Sequence, residues 1–335
     1  MPPDAAPLLQ VDAVARHFDI RSSRTGPEGT LRAVDGVSFR LEAGETLGIV
    51  GESGCGKSTL ARVVVGLLPR SAGTIRLRGG DLWERGAAGL QRRRSVQMVF
   101  QNPAGSMNPR LDVGASVSEP LRARGLRRTG ERVAEMLTLV GLQPEMARRL
   151  PHEPSGGQQQ RASIARALIA EPALVVHDEA VASLDISLQA QILNLLLELQ
   201  DRLGTAYIFI SHDLAAVQAI SHRVAVMYLG EIVEQAPAAA FVHRPLHPYA
   251  VALRRAALLP DPVLERSRPD IVLKGDVPSP LHPPSGCRFR TRCPIAVARC
   301  AEEKPVLREV EHEHRVACHF PGAYDGRHET GHGRC

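Results

Sequence analysis

The 335-residue sequence predicts an α/β fold in which a largely parallel sheet is buried under helices, followed by a small cysteine-rich extension. Short apolar runs alternate along the chain with amphipathic helical patterns, which is typical of βαβ units. Hydrophobic residues make up 44% of the chain and aromatic residues only 4%. We therefore expect a mostly aliphatic core, as in a parallel sheet covered on both faces.

The composition also narrows the class of protein. There is no run of about 18 apolar residues, and Met1 to Leu9 lacks the basic start and apolar stretch of a signal peptide. We expect a chain that neither spans a membrane nor carries a signal peptide. The formal net charge of +5 would suit a membrane surface or nucleic acid, but a mild excess of arginine is usual for a solvated surface, so the charge decides little.

Shifts in composition predict three regions. Residues 1–260 carry the strand and helix patterns of the main domain, and residues 261–320 form the extension, where Pro, Gly and Cys accumulate and strand patterns fade. Residues 321–335 are polar and rich in histidine, which predicts a disordered tail. Within the main domain, the arginine-rich and helix-prone stretch from Asn102 to Pro154 indicates an insertion, which we extend to a helical subdomain at 102–170.

The first chemical motif is a glycine-rich loop placed between an apolar run, Thr46 to Val50, and a helical pattern, Leu60 to Leu68. Such a loop turns successive backbone N–H groups toward phosphate oxygens, and the following helix points its positive end at them. Lys57 is placed to reach the β- and γ-phosphates, and the Ser58 hydroxyl to coordinate magnesium. A glycine loop with a lysine can also be a plain turn, but the complete pattern in this context favours nucleotide binding. The predicted nucleotide-binding residues of the loop are Gly51, Glu52, Ser53, Gly54, Cys55, Gly56, Lys57, Ser58 and Thr59.

An acidic pair ends a second apolar run, Ala173 to His177. Asp178 at the end of this buried strand is predicted to hold magnesium, and Glu179 to polarise the water that attacks the γ-phosphate. Strands commonly end in solvated acids, so this pair gains its weight from Lys57. His177 itself is expected to be a packed histidine rather than a ligand.

A four-residue motif, Ser155, Gly156, Gly157 and Gln158, lies between these two elements and precedes a helical pattern. In isolation it would be a helix cap with Ser155 as the N-cap residue. Because the glycine-rich loop, this motif and the acidic pair follow one another in this order, however, residues 8–260 resemble the ATP-binding cassette (ABC) proteins of the P-loop NTPase class. The resemblance implies a mixed sheet core with a helical signature subdomain, and ATP and Mg²⁺ as cofactors. It also implies that this signature motif contacts the ATP held by the opposite subunit.

The resemblance assigns roles to further residues. Gln101 looks like the loop glutamine that touches magnesium and relays to transmembrane subunits, and His212 like the switch histidine that contacts the γ-phosphate. Ser183, Leu184 and Asp185 resemble the D-loop that crosses the dimer interface. Phe18 is a candidate for stacking on adenine, although a core phenylalanine explains it equally well. Three positions depart from the family pattern without removing a catalytic group: Pro154, Gln159 and Ala180.

A narrower resemblance is to the ATPases of oligopeptide and dipeptide importers, carried by short phrases spread along the chain. Its ending, Gly275 to Pro280, most resembles the second of two paired ATPases. The implied partners are a sister ATP-binding subunit, two permeases and an extracytoplasmic substrate-binding protein, and the implied location is the cytoplasmic face of the membrane. The alternative is a soluble ABC ATPase of assembly or nucleic-acid processes. The phrases include Met98 to Pro103, Ser106 to Pro109, Gln189 to Leu193, His247 to Tyr249 and Pro283 to Cys287.

Four cysteines, Cys287, Cys293, Cys300 and Cys318, crowd the extension. Four thiolates in a short segment can hold a metal centre, whereas zinc sites usually use tighter CxxC-like pairs that are absent here. Members of the importer group carry a similar extension implicated in binding a [4Fe-4S] cluster, so the resemblance favours that over zinc or free thiols. Disulfides are disfavoured, since ATP chemistry implies a reducing compartment.

Overall fold

The computed structural model describes residues 6–20, 29–182, 184–256 and 275–326. In these ranges the larger sheet is mixed: β9, β3, β8, β7 and β6 lie side by side and parallel, and β10, β12 and β11 continue it in antiparallel pairing. The strands of this sheet are β3 (Thr46–Val50), β6 (Val96–Val99), β7 (Leu174–Asp178), β8 (Ala206–Ile210), β9 (Arg223–Tyr228), β10 (Glu231–Pro237), β11 (Arg308–Glu311) and β12 (His314–Val316).

A smaller antiparallel sheet lies beside the first, with the strand order β2, β1, β4, β5. Its strands are β1 (Leu9–Ile20), β2 (Gly29–Leu41), β4 (Ala72–Leu77) and β5 (Gly80–Asp81). The described helices are α1 (Lys57–Val64), α2 (Ala87–Arg94), α3 (Pro103–Ser106), α4 (Val113–Arg122), α5 (Gly130–Leu139), a 3₁₀ turn (Pro144–Arg148), α6 (Gly156–Leu168), α7 (Ile186–Leu203), α8 (Leu214–Ile220), α9 (Ala238–His243), α10 (Pro248–Ala256) and α11 (Arg299–Glu302).

The central strands are buried on both faces, which confirms the predicted α/β core. Along β8, Tyr207 and Phe209 pack into one apolar cluster, while Ala206, Ile208 and Ile210 pack into the other. Because side chains alternate along a strand, a near-continuous apolar run is what a doubly covered strand requires. The parallel strands all end at one edge of the sheet, so the residues that follow β3, β7 and β8 are brought together there.

Helices α3 to α6 and the 3₁₀ turn form a bundle that corresponds to the helical region expected from the sequence. Its interior is aliphatic, with Val117, Leu137 and Ile164 fully buried among the neighbouring helices. Helix α6 packs against α4, α5 and β6, so the bundle is joined to the main sheet at β6.

The described part of the extension is built onto the main sheet. Strand β12 pairs with β10 and β11 pairs with β12, although the sequence suggested that strand patterns fade in this region. At four and three residues, these strands are too short to show a period of two. Residues 321–326 of the predicted tail are described and Tyr324 is buried, whereas 327–335 lie outside the described residues. None of the helices in the described ranges has both the length and the apolar character needed to cross a bilayer.

Candidate nucleotide-binding site

The glycine-rich loop leads from β3 into α1, as the sequence predicts. A Cβ atom on Gly51 would lie 2.2 Å from the carbonyl oxygen of Met227, and one on Gly56 would lie 2.0 Å from that of Ala33. Gly56 also has a φ angle of 109°, a conformation that side chains disfavour. The loop therefore needs glycine at both positions, because neighbouring backbone packs directly against it.

Lys57 is the first residue of α1 and is 5% exposed. Its ammonium donates hydrogen bonds to the carbonyl oxygens of Gly51 and Glu52, at 2.7 and 2.9 Å. The positive charge is thus held across the loop, beside the amino end of the helix. Both features attract an anion to the same place.

A cavity of about 370 Å³ opens over this loop. One side is formed by residues 53–59, and the other by Leu31, Arg32 and Ala33 of β2, with Gly230 and Pro280. Gln101 and Glu179 also line it. The cavity therefore brings the phosphate-binding loop together with two of the three predicted catalytic residues.

Two oxygen donors meet beside Lys57. The Ser58 hydroxyl donates a hydrogen bond to the carboxylate of Asp178 at 2.8 Å. Asp178 is 5% exposed, and burial raises the pKa of its carboxyl group, while the hydrogen bond from Ser58 opposes that rise. A hydroxyl and a carboxylate next to a phosphate site are the oxygen ligands that Mg²⁺ prefers, so these residues fit that cofactor.

Glu179 lies at the centre of the predicted catalytic group. Its carboxylate accepts a hydrogen bond from the side-chain amide of Gln101 at 2.9 Å, and its other oxygen lies 3.7 Å from Nδ1 of His212. Glu179 has a φ angle of 50°, a strained backbone conformation that is often found at functional sites. The His212 side chain is 61% exposed. The carboxyl ends of β6, β7 and β8 thus place all three side chains close together.

Phe18 is not among the described residues that line the cavity. Its ring is covered by the guanidinium of Arg16, at 4.3 Å from the ring centroid. Leu31, its partner across the β1–β2 pairing, lines the cavity instead. The adenine-stacking role of Phe18 stays a prediction.

The signature motif lies outside the described lining of this cavity. The side chain of Gln158 accepts a hydrogen bond from the Ser155 backbone N–H at 3.0 Å, as in a capping box at the start of α6. Ser155 and Gly156 remain exposed. These residues therefore both cap helix α6 and form an exposed surface.

Two of the positions that depart from the family pattern, Pro154 and Gln159, lie beside this motif. The side-chain amide of Gln159 donates to the carbonyl oxygens of Pro151 and Pro154, at 3.0 and 3.1 Å. Pro154 and Ala180 are buried. Gln159 therefore fixes the segment that leads into the signature motif.

The predicted D-loop is described in part, since Ser183 lies outside the described residues. Asp185 is the N-cap of α7 and accepts a hydrogen bond from the backbone N–H of Leu188 at 2.9 Å. A Cβ on Gly157 would lie 3.2 Å from the side chain of Leu188, so α6 and α7 approach closely here. The signature motif and Leu184–Asp185 are therefore neighbours within this chain.

Two residues that contact the phosphate loop were not predicted from the sequence. The hydroxyl oxygen of Tyr249 accepts a hydrogen bond from the backbone N–H of Glu52 at 2.8 Å, and Arg292 pairs with the Glu52 carboxylate. They lie 197 and 240 residues away along the chain. No local pattern signals such contacts, although Tyr249 was already part of a phrase that carried the family resemblance.

The four cysteines of the extension line one small cavity as free thiols. Burial raises the pKa of Cys287 to about 11 and that of Cys293 to about 12, and it also raises the pKa of Cys318. Among the residues that the structure describes, no group of three or more His, Cys, Asp or Glu side chains is arranged to hold a metal ion. The four predicted ligands therefore line one cavity, but the structure does not support the [4Fe-4S] cluster.

Two protein-family models match the chain. The ABC transporter model matches residues 34–182, which include the phosphate loop, the signature motif and the acidic pair. The model of the oligopeptide/dipeptide transporter C-terminal region matches residues 233–300. The second match spans the junction between β10 and the cysteine-rich extension.

Curated relatives resemble the chain over nearly its whole length. It is 50% identical over 319 residues to the oligopeptide transport ATP-binding protein OppF of Salmonella typhimurium, covering 93% of this chain and 95% of that protein. It is 49% identical over 319 residues to OppF of Escherichia coli, with the same coverage. A probable peptide ABC transporter ATP-binding protein of Sinorhizobium fredii is 50% identical over 323 residues, covering 93% and 89%.

Solved structures of cassettes share the fold. A dimeric ATP-binding cassette in a post-hydrolysis state, bound to ADP and phosphate, superposes with a TM-score of 0.61 at 26% identity, covering 69% of this chain and 98% of that one. A subunit of a Clostridium perfringens ABC transporter complex gives a TM-score of 0.59 at 28% identity, covering 69% and 89%. Both matches leave about a third of the present chain uncovered.

Proposed function

Because the chain belongs to the ABC transporter ATP-binding proteins of the oligopeptide/dipeptide family, we propose that it binds and hydrolyses MgATP to power the import of di- or oligopeptides. The observation that carries this proposal is the single cavity that joins the Lys57 loop to Gln101 and Glu179. The peptide specificity rests on the names of the relatives and on the match of the C-terminal region.

The residues of the cavity divide the chemistry between them. Lys57 and the N–H groups of the loop would neutralise and orient the phosphates, and Ser58, Gln101 and Asp178 would hold Mg²⁺. Bound magnesium supplies charge neutralisation for the transferred phosphoryl group. Glu179 accepts a proton from the attacking water, Gln101 holds the Glu179 carboxylate in place through its 2.9 Å hydrogen bond, and His212 supports the same group from the other side.

The signature motif of this chain serves a second ATP, held by a partner cassette. Ser155 and Gly156 are exposed and lie apart from the cavity of their own chain, so a partner's nucleotide can reach them. The proposed partner is a sister ATP-binding subunit, and closure of the pair over two ATP molecules drives the transport cycle.

The remaining partners are two permease subunits and an extracytoplasmic substrate-binding protein, which places this chain at the cytoplasmic face of the membrane as a peripheral subunit. Support comes from the relatives, which are named as ATP-binding proteins of peptide transport. The region from Gln101 to Leu121 is the proposed docking site for the permeases. Regions 1–260 and 261–320 are the proposed cassette and extension, with 102–170 as the signature subdomain.

The four cysteines of the extension are proposed to hold a [4Fe-4S] cluster. Cysteine thiolates are the ligands that such clusters use, and Cys287, Cys293, Cys300 and Cys318 line one cavity as free thiols and would be those ligands. Iron and acid-labile sulfide in anaerobically purified protein, with a visible charge-transfer band, would support the cluster. Zinc at one equivalent without sulfide would contradict it.

A transport assay tests the function as a whole. A strain that lacks this chain is complemented with the wild type, with Glu179→Gln or with Glu198→Gln, an exposed position on α7. We expect uptake of labelled di- and tripeptides with the wild type and Glu198→Gln, and loss of uptake with Glu179→Gln. Capture of the chain from solubilised membranes should bring down two permeases. Capture of soluble assembly factors or nucleic acid instead, with normal peptide uptake by Glu179→Gln cells, would overturn the proposal.

A further inference from the structure

The short segment between Cys287 and Cys293 packs against the nucleotide-binding side of the main sheet. Arg288 and Phe289 are buried. The guanidinium of Arg288 donates to the carbonyl oxygen of Leu229 and pairs with Asp35, and it lies 3.0 Å from a carboxylate oxygen of Glu231. Leu229 lines the ATP cavity, so the extension contacts the wall of that cavity through this segment.

Arg292, at the end of the same segment, reaches the phosphate loop itself. Its two terminal nitrogens donate to the two carboxylate oxygens of Glu52, at 2.8 and 3.0 Å. The Arg292 side chain is only 8% exposed, and the hydrogen bonds with Glu52 raise its pKa. A two-point contact of this kind fixes orientation as well as distance, which a single contact does not.

Glu52 is held on its backbone side as well. Its N–H donates to the hydroxyl oxygen of Tyr249, whose ring packs at 5.4 Å from Phe289 of the extension segment and at 4.7 Å from Tyr228. The guanidinium of Arg292 lies 6.0 Å from the Tyr228 ring centroid. Arg292 therefore binds the side chain of Glu52, and Phe289 packs against the tyrosine that binds its backbone N–H.

The position of Glu52 matters because its carbonyl oxygen accepts a hydrogen bond from the ammonium of Lys57. A shift of Glu52 moves the loop N–H groups and the resting place of the ammonium together. Glu52 also carries a negative charge beside a site that attracts phosphates. Without Arg292 that charge would be unpaired and would repel ATP.

We propose that Arg292 is a positioning residue for ATP, which holds the phosphate loop through Glu52 and neutralises its charge. The inference rests on the proposed function, since it assumes that the loop binds ATP. The inference gives the C-terminal extension a role in the ATP site, although the loop of that site lies in the main domain. The loss of Arg292 should weaken nucleotide binding more than it slows the chemical step.

The experiment compares Arg292→Ala with Arg290→Ala. Arg290 lies in the same segment between the cysteines, and its side chain bonds to Ser285. MgATP affinity is measured on the purified chain, and KM and kcat on the transporter complex. For Arg292→Ala we expect a roughly 10-fold rise in Kd and KM with little change in kcat, because a charge-assisted pair has been removed from the binding loop. Arg290→Ala should behave as the wild type.

The conservative variant Arg292→Lys keeps the charge but lacks the two-point contact, so its Kd should lie between those of the wild type and Arg292→Ala. If Arg292→Ala does not yield folded protein, the lysine variant decides the question. The positioning role would be overturned by an unchanged Kd in Arg292→Ala or, where that variant does not fold, in Arg292→Lys. An equal loss of MgATP affinity in Arg290→Ala would overturn it as well, and so would a fall in kcat with no change in Kd. Failure of the wild type itself to bind MgATP would instead refute the proposed function.

Discussion

The side chains of Gln101 and Glu179 are joined by a hydrogen bond of 2.9 Å, although they lie 78 residues apart in the sequence. Gln101 follows β6 and Glu179 follows β7, and these two strands are parallel neighbours. Their carboxyl ends therefore meet at one edge of the sheet, where the phosphate loop also begins. The bond connects the strand end beside the helical bundle with the proposed catalytic carboxylate.

Replacement of Glu179 by Gln should stop hydrolysis and leave ATP binding intact. The glutamine amide has nearly the same shape and can still bond to Gln101, but it cannot take a proton from water. Loss of a general base slows such reactions by about 10²- to 10⁴-fold. Phosphate release by the complex and ATP binding by the purified chain should be measured together. Hydrolysis at the wild-type rate would show that Glu179 is not the base.

Replacement of Ser58 by Ala should weaken the dependence of ATP binding on magnesium. The Ser58 hydroxyl and the Asp178 carboxylate lie 2.8 Å apart and are proposed magnesium ligands, together with Gln101. Titration of the purified chain with ATP, with and without Mg²⁺, would give the metal-dependent part of the affinity. We expect that part to fall in Ser58→Ala while the affinity in EDTA stays the same. An equal fall under both conditions would place Ser58 on the phosphates and away from the metal.

The geometry of the candidate phosphate site could be predicted from the sequence because its parts are local. The loop from Gly51 to Thr59 carries its own signals, and the apolar runs of β3 and β7 place Lys57 and Asp178 at one sheet edge. Parallel strands buried on both faces leave little freedom in how these ends are arranged. The fold of residues 46–59 and the meeting of Ser58 with Asp178 follow from those patterns.

The contacts of Glu52 could not be predicted in this way. They join residues 197 and 240 positions apart, and they depend on how the extension lies on the main sheet. A sequence pattern specifies which face of an element is apolar, but not which distant arginine meets which carboxylate. Strands β11 and β12 were not predicted for another reason, because strands of four and three residues are too short to show a period of two.

Replacement of Glu234 by Ala should destabilise the junction between the extension and the main sheet. The buried carboxylate of Glu234 accepts hydrogen bonds from the backbone N–H groups of Leu246 and His247, and it lies 2.8 Å from Nε2 of His314 on β12. Removal of the acceptor leaves buried donors unpaired, which costs about 3 kcal/mol or more of unfolding free energy. Urea denaturation measures this change in the free energy of unfolding. The exposed variant Glu302→Ala should change it by less than about 0.5 kcal/mol, and an equal effect would contradict the role of Glu234.

Replacement of Gly156 by Asp should separate the two ATP sites of the proposed dimer. Gly156 opens α6, and a Cβ there would have its nearest neighbour at 4.0 Å, in the side chain of Leu184, so the aspartate fits without strain. An acid is also favourable at a helix start. ATP binding by the isolated chain should be unchanged, since the residue is outside its own cavity, whereas hydrolysis by the complex should fall because the new charge faces the partner's γ-phosphate. Gly130→Asp is the matched control, as Gly130 opens α5 with free space around it, and it should leave both measurements unaltered. Loss of ATP binding by the isolated Gly156→Asp chain would mean that the signature motif serves its own subunit.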